Sequence, residues 1–315
     1  MFVSNGRLGR LENLIHYMAP YLSFAARHGG SRGAFSDSAS SGHAFVIIGT
    51  WNVNSIHARL HRVIPYLERT KPEILCLQEI KGMDDKFPYA AFAALGYSAH
   101  VFGQKSYNGV AILTRGQEGR LLFRGWGEPG ETEARLLSVE WTLGDGRPLV
   151  VVSVYVPNGR AVGHAEYNRK LAWLTRLQDF LATLRPRGGV LVVCGDFNIT
   201  PDDRDVHDPE RWREAIFCST PERQRLAELS LTLELSDLWR LGNPEARQFT
   251  WWDYRQLAFP RNEGLRIDLL LGDAGAARAL EKVWIDRDER RGEKPSDHAP
   301  VCAQFKFTEA LEVLT

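Results

Sequence analysis

The stretch Gly188–Pro201, GGVLVVCGDFNITP, holds the decisive contrast of this chain. Its first half is apolar and β-branched and reads as a buried strand. It then ends on Gly195, Asp196, Phe197 and Asn198, which places a carboxylate and an amide two residues apart. Pro201 and Asp202 mark a turn just beyond, so a turn cap is one explanation of the polar pair. Delivery of both groups to a reaction is the other.

Other apolar runs end in the same way. GTWNVN ends on Asn52 and Asn54, LCLQE on Gln78 and Glu79, and VVSVYVPN near Tyr155 and Asn158. LRIDLLL holds Asp268 among apolar neighbours, and PSDHAPV sets Asp297 and His298 just before a strand. A charge inside an apolar strand is costly unless it is paired or bound to a cation. Strands sharing one orientation would bring all six polar ends to one site.

Between these strands the apolar spacing predicts helices. Tyr167, Leu171, Leu174, Leu177 and Leu181 recur at intervals of three and four, which predicts a long amphipathic helix over 164–184. A helix over HARLHRVIPYLERT is expected to be interrupted at Pro65, and a short one over DDKFPYAAFAALG to end at Gly96. TPERQRLAELSLT opens with Thr220 as N-cap and Pro221 in the first turn. Many strands with helices falling between pairs of them predict an α/β fold. The expected form is a four-layered α/β sandwich, with two packed, mostly antiparallel β-sheets flanked by helices. The domain is expected to span residues 44–315.

The 315 residues are 44% hydrophobic and 25% charged, with zero formal net charge. No apolar run approaches the roughly 18 to 20 residues of a membrane helix, so no membrane partner is expected. The neutral total removes a global basic bias toward nucleic acid but not a local basic face, because an acidic site cancels charge in the sum. Cys76, Cys194 and Cys302 fall inside apolar runs, and with Cys218 they make no CxxC pair. They read as small core residues of a reducing compartment, and a cytoplasmic, nucleoid-associated location is the expectation. Residues 1–43 differ: Ser, Gly and Ala are frequent, and Arg7, Arg10, Arg27 and Arg32 face only Glu12 and Asp37. This is the composition of an extension outside the fold, and also that of an organelle transit peptide. A short amphipathic helix fits ENLIHYMAPYLSFAA.

The chemistry of the strand ends is specific. Glu79, Asp196, Asp268 and Asp297 offer hard oxygen donors, and Asn52 and Asn54 add neutral ones. That set suits Mg²⁺ or Mn²⁺ and not zinc, which takes more His or Cys. A hard cation beside a histidine and a further carboxylate points to hydrolysis of a phosphate ester.

The segments TWNVNSI, LCLQEIK, YNGVAIL, VYVPNG, GDFNITP, FTWWDYR, LRIDLLL and KPSDHAPV occur in that order. Together they closely resemble the exonuclease III family of abasic-site endonucleases, within the DNase I-like metal phosphoesterases, over about residues 46 to 306. FTWWDYR followed by LRIDLLL and PSDHAPV is the most specific part. The resemblance implies a Mg²⁺-dependent DNA repair nuclease, with Mn²⁺ as the alternative ion. Such an enzyme cleaves 5′ to an abasic site, digests 3′ ends of duplex DNA and removes 3′ blocking groups. It implies Glu79 as the principal metal ligand, supported by Asn52, Asn54 and Asp297. A second metal at Asp196, Asn198 and His298 is the other arrangement. Asp196 would position or deprotonate the attacking water and Asn198 would orient it. His298, fixed by Asp268, would hydrogen-bond the scissile phosphate, and either Asp196 or His298 would be the base. Tyr155 and Asn158 would contact the phosphate. Trp251, Leu265 and Ile267 would wall a pocket for a flipped-out abasic sugar. Arg255 and Arg160 would enter the duplex, with Lys81, Lys105, Arg169, Lys170 and Arg266 on phosphates.

Ser55 stands where many relatives carry glycine, and EIK replaces the commoner ETK; neither change removes a chemical group. Partners are then duplex DNA with abasic sites or blocked 3′ ends, and the protein is expected to act as a monomer. A member acting mainly as a 3′–5′ exonuclease or 3′-phosphatase is the nearest alternative. A catalytically silent DNA-binding module is the alternative of another class, and it should have lost Glu79, Asp196, Asp268 or His298; all four are present.

Overall fold

The computed structural model describes residues 45–127 and 133–307. The extension expected over 1–43, with its short helix, lies outside the described residues. Along the chain the strands are β1 (Phe45–Asn52), β2 (Ile74–Gln78), β3 (Tyr97–Phe102), β4 (Val110–Arg115), β5 (Arg120–Arg124), β6 (Leu136–Thr142), β7 (Pro148–Tyr155), β8 (Val190–Asp196), β9 (Ser236–Asp237), β10 (Asp268–Gly272), β11 (Leu280–Ile285) and β12 (Val301–Lys306). The helices are α1 (Ile56–Thr70), α2 (Tyr89–Ala93), α3 (Ala165–Leu184), α4 (Thr220–Thr232), α5 (Leu238–Gly242), α6 (Ala258–Arg261) and α7 (Ala274–Ala279).

The strands form two six-stranded sheets, in the orders β11-β12-β1-β2-β4-β3 and β5-β6-β7-β8-β10-β9. Each sheet has a parallel pair at its centre, β1 with β2 and β7 with β8. Their neighbours run antiparallel, as in β1 with β12 and β8 with β10. The sheets are therefore mixed and mostly antiparallel. The α/β sandwich expected from the order of elements is the one observed.

The packing explains why VLVVC is apolar at every position. Val190, Val192 and Cys194 of β8 face the other sheet, where they meet residues such as Ile74, Cys76, Ile112 and Val301. Leu191 and Val193 face outward and are covered by Trp173, Leu177 and Leu181 of α3 and Leu229 of α4. A strand buried on both faces carries no polar alternation. On the opposite outer face Trp51, Leu75 and Leu77 are covered by Ile56, Val63, Tyr66 and Leu67 of α1 and Phe92 of α2. Two sheets with helices on both outsides make the four layers.

Some local expectations are corrected. Helix α1 runs unbroken through Pro65. The proline is exposed, so the hydrogen bond it cannot make is lost on the solvent side of the helix. The single helix expected over 84–96 is a 3₁₀ turn, Asp84–Lys86, followed by α2 after Pro88. Helix α4 is capped by Ser219 rather than Thr220, with a reciprocal capping box to Glu222. The strand expected from Leu265 begins at Asp268, because Leu265 pairs instead with Trp251 and Val206. Among the described residues no helix is long and apolar enough to cross a membrane.

Candidate active site

A parallel pair presents both carboxy-terminal ends at the same edge of its sheet. In the first sheet Asn52 is in register with Gln78, and Glu79 follows immediately. In the second Tyr155 is in register with Asp196, and Asp196 faces Asp268 on β10. Gly195 makes that approach feasible: its φ is 148°, and a Cβ there would lie 1.9 Å from the carbonyl oxygen of Val154. Below the edge a buried polar strut ties the sheets together. Thr50 Oγ1 donates to Gln78 Oε1 at 3.1 Å, and Gln78 Nε2 donates to Ser153 Oγ at 3.2 Å.

The two edges meet through Asn52. Its Nδ2 donates to Glu79 Oε1 at 2.8 Å and to Asp196 Oδ2 at 2.9 Å. Asp196 Oδ2 lies 3.8 Å from His298 Nε2, and His298 Nδ1 donates to Asp268 Oδ2 at 2.9 Å. One ligand atom from each of Glu79, Asp196 and His298 falls within 4.8 Å of the others. Asp268 is held by Thr250, whose Oγ1 accepts from the backbone N–H groups of Ile267 and Asp268, both at 3.1 Å. Its Oδ1 is buried without a partner among the described residues. Ser296 Oγ donates to the Asn52 carbonyl at 2.7 Å and accepts from His298 N–H at 3.2 Å, which locks the histidine loop onto β1.

The turn and the site are not rival explanations of the polar strand ends. Asp196 Oδ1 accepts from Asn198 N–H at 2.9 Å, and Asn52 Oδ1 accepts from Asn54 N–H at 3.0 Å. Asn158 Oδ1 accepts from Arg160 N–H at 3.0 Å. Each side chain caps its own turn with one atom. At Asp196 and Asn52 the second polar atom is free for the cluster. The backbone is left-handed at Glu79 (φ 51°), Asn198 (φ 52°), Asn54 (φ 46°) and Ser55 (φ 89°), so conformational strain gathers at this edge.

Electrostatics separate the groups. Burial, together with the Asp268 and Glu79 carboxylates, raises the Asp196 carboxyl to about 7, against the opposing pull of His298 and the Asn52 amide. Burial alone would lower the His298 imidazole, but Asp268 first and Asp196 second outweigh it and raise it to about 10. Asp297 is lowered although burial acts to raise it, because the His298 charge and hydrogen bonds from Asn54 and Trp251 favour the anion. Burial, then the Glu79 and Asp196 carboxylates, raise the Tyr155 phenol well above its ordinary range, so it stays a donor.

Several expected contacts are placed differently. Asn52 presents its amide nitrogen to the cluster and turns its oxygen to Asn54, so it bridges carboxylates instead of offering a metal donor. Asp297 accepts from Asn54 Nδ2 at 2.9 Å and Trp251 Nε1 at 3.0 Å, so both of its oxygens are engaged by protein donors. Asn198 Nδ2 donates to the Val156 carbonyl at 3.0 Å, and its Oδ1 lies 3.5 Å from Asn158 Nδ2. Lys81 is drawn inward, 2.8 Å from Glu79 Oε2 and 2.5 Å from Asn54 Oδ1.

Lys170 and Arg266 are not surface phosphate contacts. Lys170 is wholly buried; its Nζ donates to Glu222 Oε1 at 2.5 Å and to the Asn198 carbonyl at 2.6 Å. Arg266 is buried against Asp205 at 2.6 Å and Asp237 at 2.7 Å. Arg169 pairs with Glu133 and Glu166. Arg255 is exposed but tied to Asp253 at 2.7 Å, while Arg160 and Lys105 are exposed. Leu265 and Ile267, expected as pocket walls, have almost no accessible surface: 0% and 1%. Phe217, Val206 and Cys218 pack on them, with Trp212, Ile216 and Trp251 partly buried around. Phe217 sits in a loop without periodic signal, and Thr250 and Ser296 lie inside FTWWDYR and KPSDHAPV, where nothing local marks the contacts they make.

A two-sheet sandwich whose parallel strand ends close two carboxylates and an imidazole over one edge defines a class of phosphoester hydrolases. The chain belongs to the endonuclease/exonuclease/phosphatase family, whose profile matches residues 49–298. It is 35% identical over 265 residues to the exodeoxyribonuclease III of Haemophilus influenzae, covering 82% of this chain and 98% of that protein. Among solved structures it resembles a 3′-5′ exonuclease from Neisseria meningitidis, with 42% identity and a TM-score of 0.78 over 83% of this chain and 100% of that one. An AP endonuclease from Archaeoglobus fulgidus matches with 36% identity and a TM-score of 0.77, over 82% of this chain and 99% of that one.

Proposed function

We infer that this protein is a DNA repair nuclease that hydrolyses phosphate esters in duplex DNA, 5′ to abasic sites and at 3′ ends. The observation that carries this reading is the convergence of Glu79, Asp196 and His298 within 4.8 Å at the edge shared by both sheets. Two carboxylates and an imidazole, with Asn52 between the carboxylates, suit one hard divalent cation on the Glu79 side, and Mg²⁺ is the ion we propose, with Mn²⁺ as substitute. Bound there, it would neutralise phosphate charge and make water more acidic.

The protein's own groups divide the remaining work. Asp196 takes the proton of the attacking water, and its elevated pKa near 7 suits a base at neutral pH. His298, raised to about 10, is an imidazolium that donates to a non-bridging phosphate oxygen. That protonation favours Asp196 over His298 as base. Tyr155 and Asn158 donate to the phosphate from the second sheet's side. The reading has the protein act as a monomer beside the nucleoid, in the cytoplasm.

The test is cleavage of one duplex with a synthetic abasic site and one with a 3′-phosphate, each with and without EDTA. Cation-dependent product from either supports the reading. Cleavage that persists in EDTA, or no cleavage of either duplex at any Mg²⁺ or Mn²⁺ concentration, contradicts it.

A further inference from the structure

We propose that Lys170 is a positioning residue for the reaction, an internal cation that sets the spacing of the two turns carrying Asn158 and Asn198; this rests on the nuclease reading above. Lys170 lies on α3 and is wholly buried where that helix meets the turns after β7 and β8. An ammonium has three N–H donors, and three acceptors surround this one. Nζ donates to the Asn198 carbonyl at 2.6 Å, to the Asn158 carbonyl at 3.4 Å and to Glu222 Oε1 at 2.5 Å. The Phe217 ring closes a further side, with its centroid 5.2 Å from Nζ. The stem is fitted as closely: a Cβ at Gly159, whose φ is 87°, would lie 3.1 Å from Lys170 Cδ.

Burying an ammonium is costly, and burial pulls Lys170 down from its ordinary range against the opposing charge of Glu222. A staple between α3 and α4 would account for the pair with Glu222. Yet Glu222 is already engaged as the α4 cap, accepting from Ser219 N–H at 3.2 Å and Ser219 Oγ at 2.6 Å. Two of the three lysine donors go instead to the main chain of Asn158 and Asn198, the residues expected beside the phosphate and the attacking water. Their carboxamides approach each other, Asn158 Nδ2 to Asn198 Oδ1 at 3.5 Å. Asn198 is held at both ends: its N–H donates to Asp196 Oδ1 at 2.9 Å, and its carbonyl accepts from Lys170. Its backbone is left-handed, with φ 52°, a conformation that surrounding contacts must hold. Lys170 therefore acts on the phosphate through Asn158 and on the attacking water through Asn198 and Asp196, without touching either.

The experiment compares wild type, K170M, E222Q and the double variant K170M with E222M on a 3′-phosphate duplex with saturating Mg²⁺. Denaturation curves first fix a temperature at which each is folded. K170M and E222Q both break the ion pair and are expected to lose stability. Only K170M takes the donor from the two carbonyls. Its kcat should fall by roughly 10²-fold while E222Q stays near wild type, with KM little changed in both. The double variant should regain stability and remain as slow as K170M. A lysine that serves the fold alone predicts otherwise: activity follows stability, and the double variant recovers both. Wild-type kcat in folded K170M or in the double variant would overturn the proposal, as would equal kcat losses in K170M and E222Q. If neither Lys170 variant folds, E222Q decides: kcat retained at reduced stability supports the proposal, and kcat lost overturns it. Wild-type inactivity would overturn the nuclease reading and the proposal with it, whereas the variant outcomes bear on the proposal alone.

Discussion

In the first sheet the parallel pair β1 and β2 ends on Asn52 and Gln78, with Glu79 just beyond; in the second, β7 and β8 end on Tyr155 and Asp196. The strand patterns match, yet the carboxylates differ. The Glu79 side chain keeps 17% of its surface exposed and touches Lys81, whereas Asp196 is 1% exposed beside Asp268 and His298. The first half-site can take hold of a cation from solvent, and the second keeps a carboxylate poised near neutral pH. Asn52 joins them by donating to both. In the proposed mechanism the same topology, used twice, would separate charge neutralisation from proton transfer.

The largest effect should come from breaking the second half-site. Asp196→Asn keeps the shape but removes the proposed base, and kcat should fall by about 10²- to 10⁴-fold in steady-state assays on a 3′-phosphate duplex. Next is Lys170→Met, which leaves the buried Glu222 carboxylate without its cation, held only by Ser219. Stability should drop by about 3–5 kcal/mol in chemical denaturation, and the double change Lys170→Met with Glu222→Met should recover most of it. If Lys170 were a phosphate contact instead, the single variant would lower the salt dependence of DNA binding and leave stability intact.

The pH profile sharpens the contrast between the halves. The rate should rise as Asp196 loses its proton near pH 7 and fall as His298 loses its proton near pH 10. Added Mg²⁺ should move the acid limb downward, because a nearby positive charge favours the carboxylate. Asp268 is the largest group raising His298, so Asp268→Asn should move the alkaline limb to lower pH. A limb that stays in place removes His298 from the mechanism. The smallest effect is at Ser55, with φ 89° in the loop that holds the Glu79 backbone. Ser55→Gly should add about 0.5–1 kcal/mol of stability, the released strain exceeding the lost hydroxyl cap.

What was legible in the sequence follows from range. The α3 helix and the doubly buried β8 strand were readable because their neighbours impose a local period. The polar strand ends were readable because a carboxylate has no business in an apolar run without a partner. Lys170 and Arg266 were misread because their acids lie 52 and 61 residues away, and nothing local marks a cation as buried. Phe217 was missed for the same reason: its loop has no period, and what it covers comes from a segment near residue 265. The β9 strand, two residues long, carries no pattern at all.

The central claim is that Glu79 serves a cation while Asp196 serves a proton, on one phosphate. Single-turnover release of a 3′-phosphate, titrated with Mg²⁺ for wild type, Glu79→Gln and Asp196→Asn, tests it most directly. The account predicts that Glu79→Gln needs about 10- to 100-fold more Mg²⁺ and then regains much of its rate. Asp196→Asn should stay slow at every concentration. Turnover without a divalent cation, or an undiminished Asp196→Asn enzyme, would contradict it.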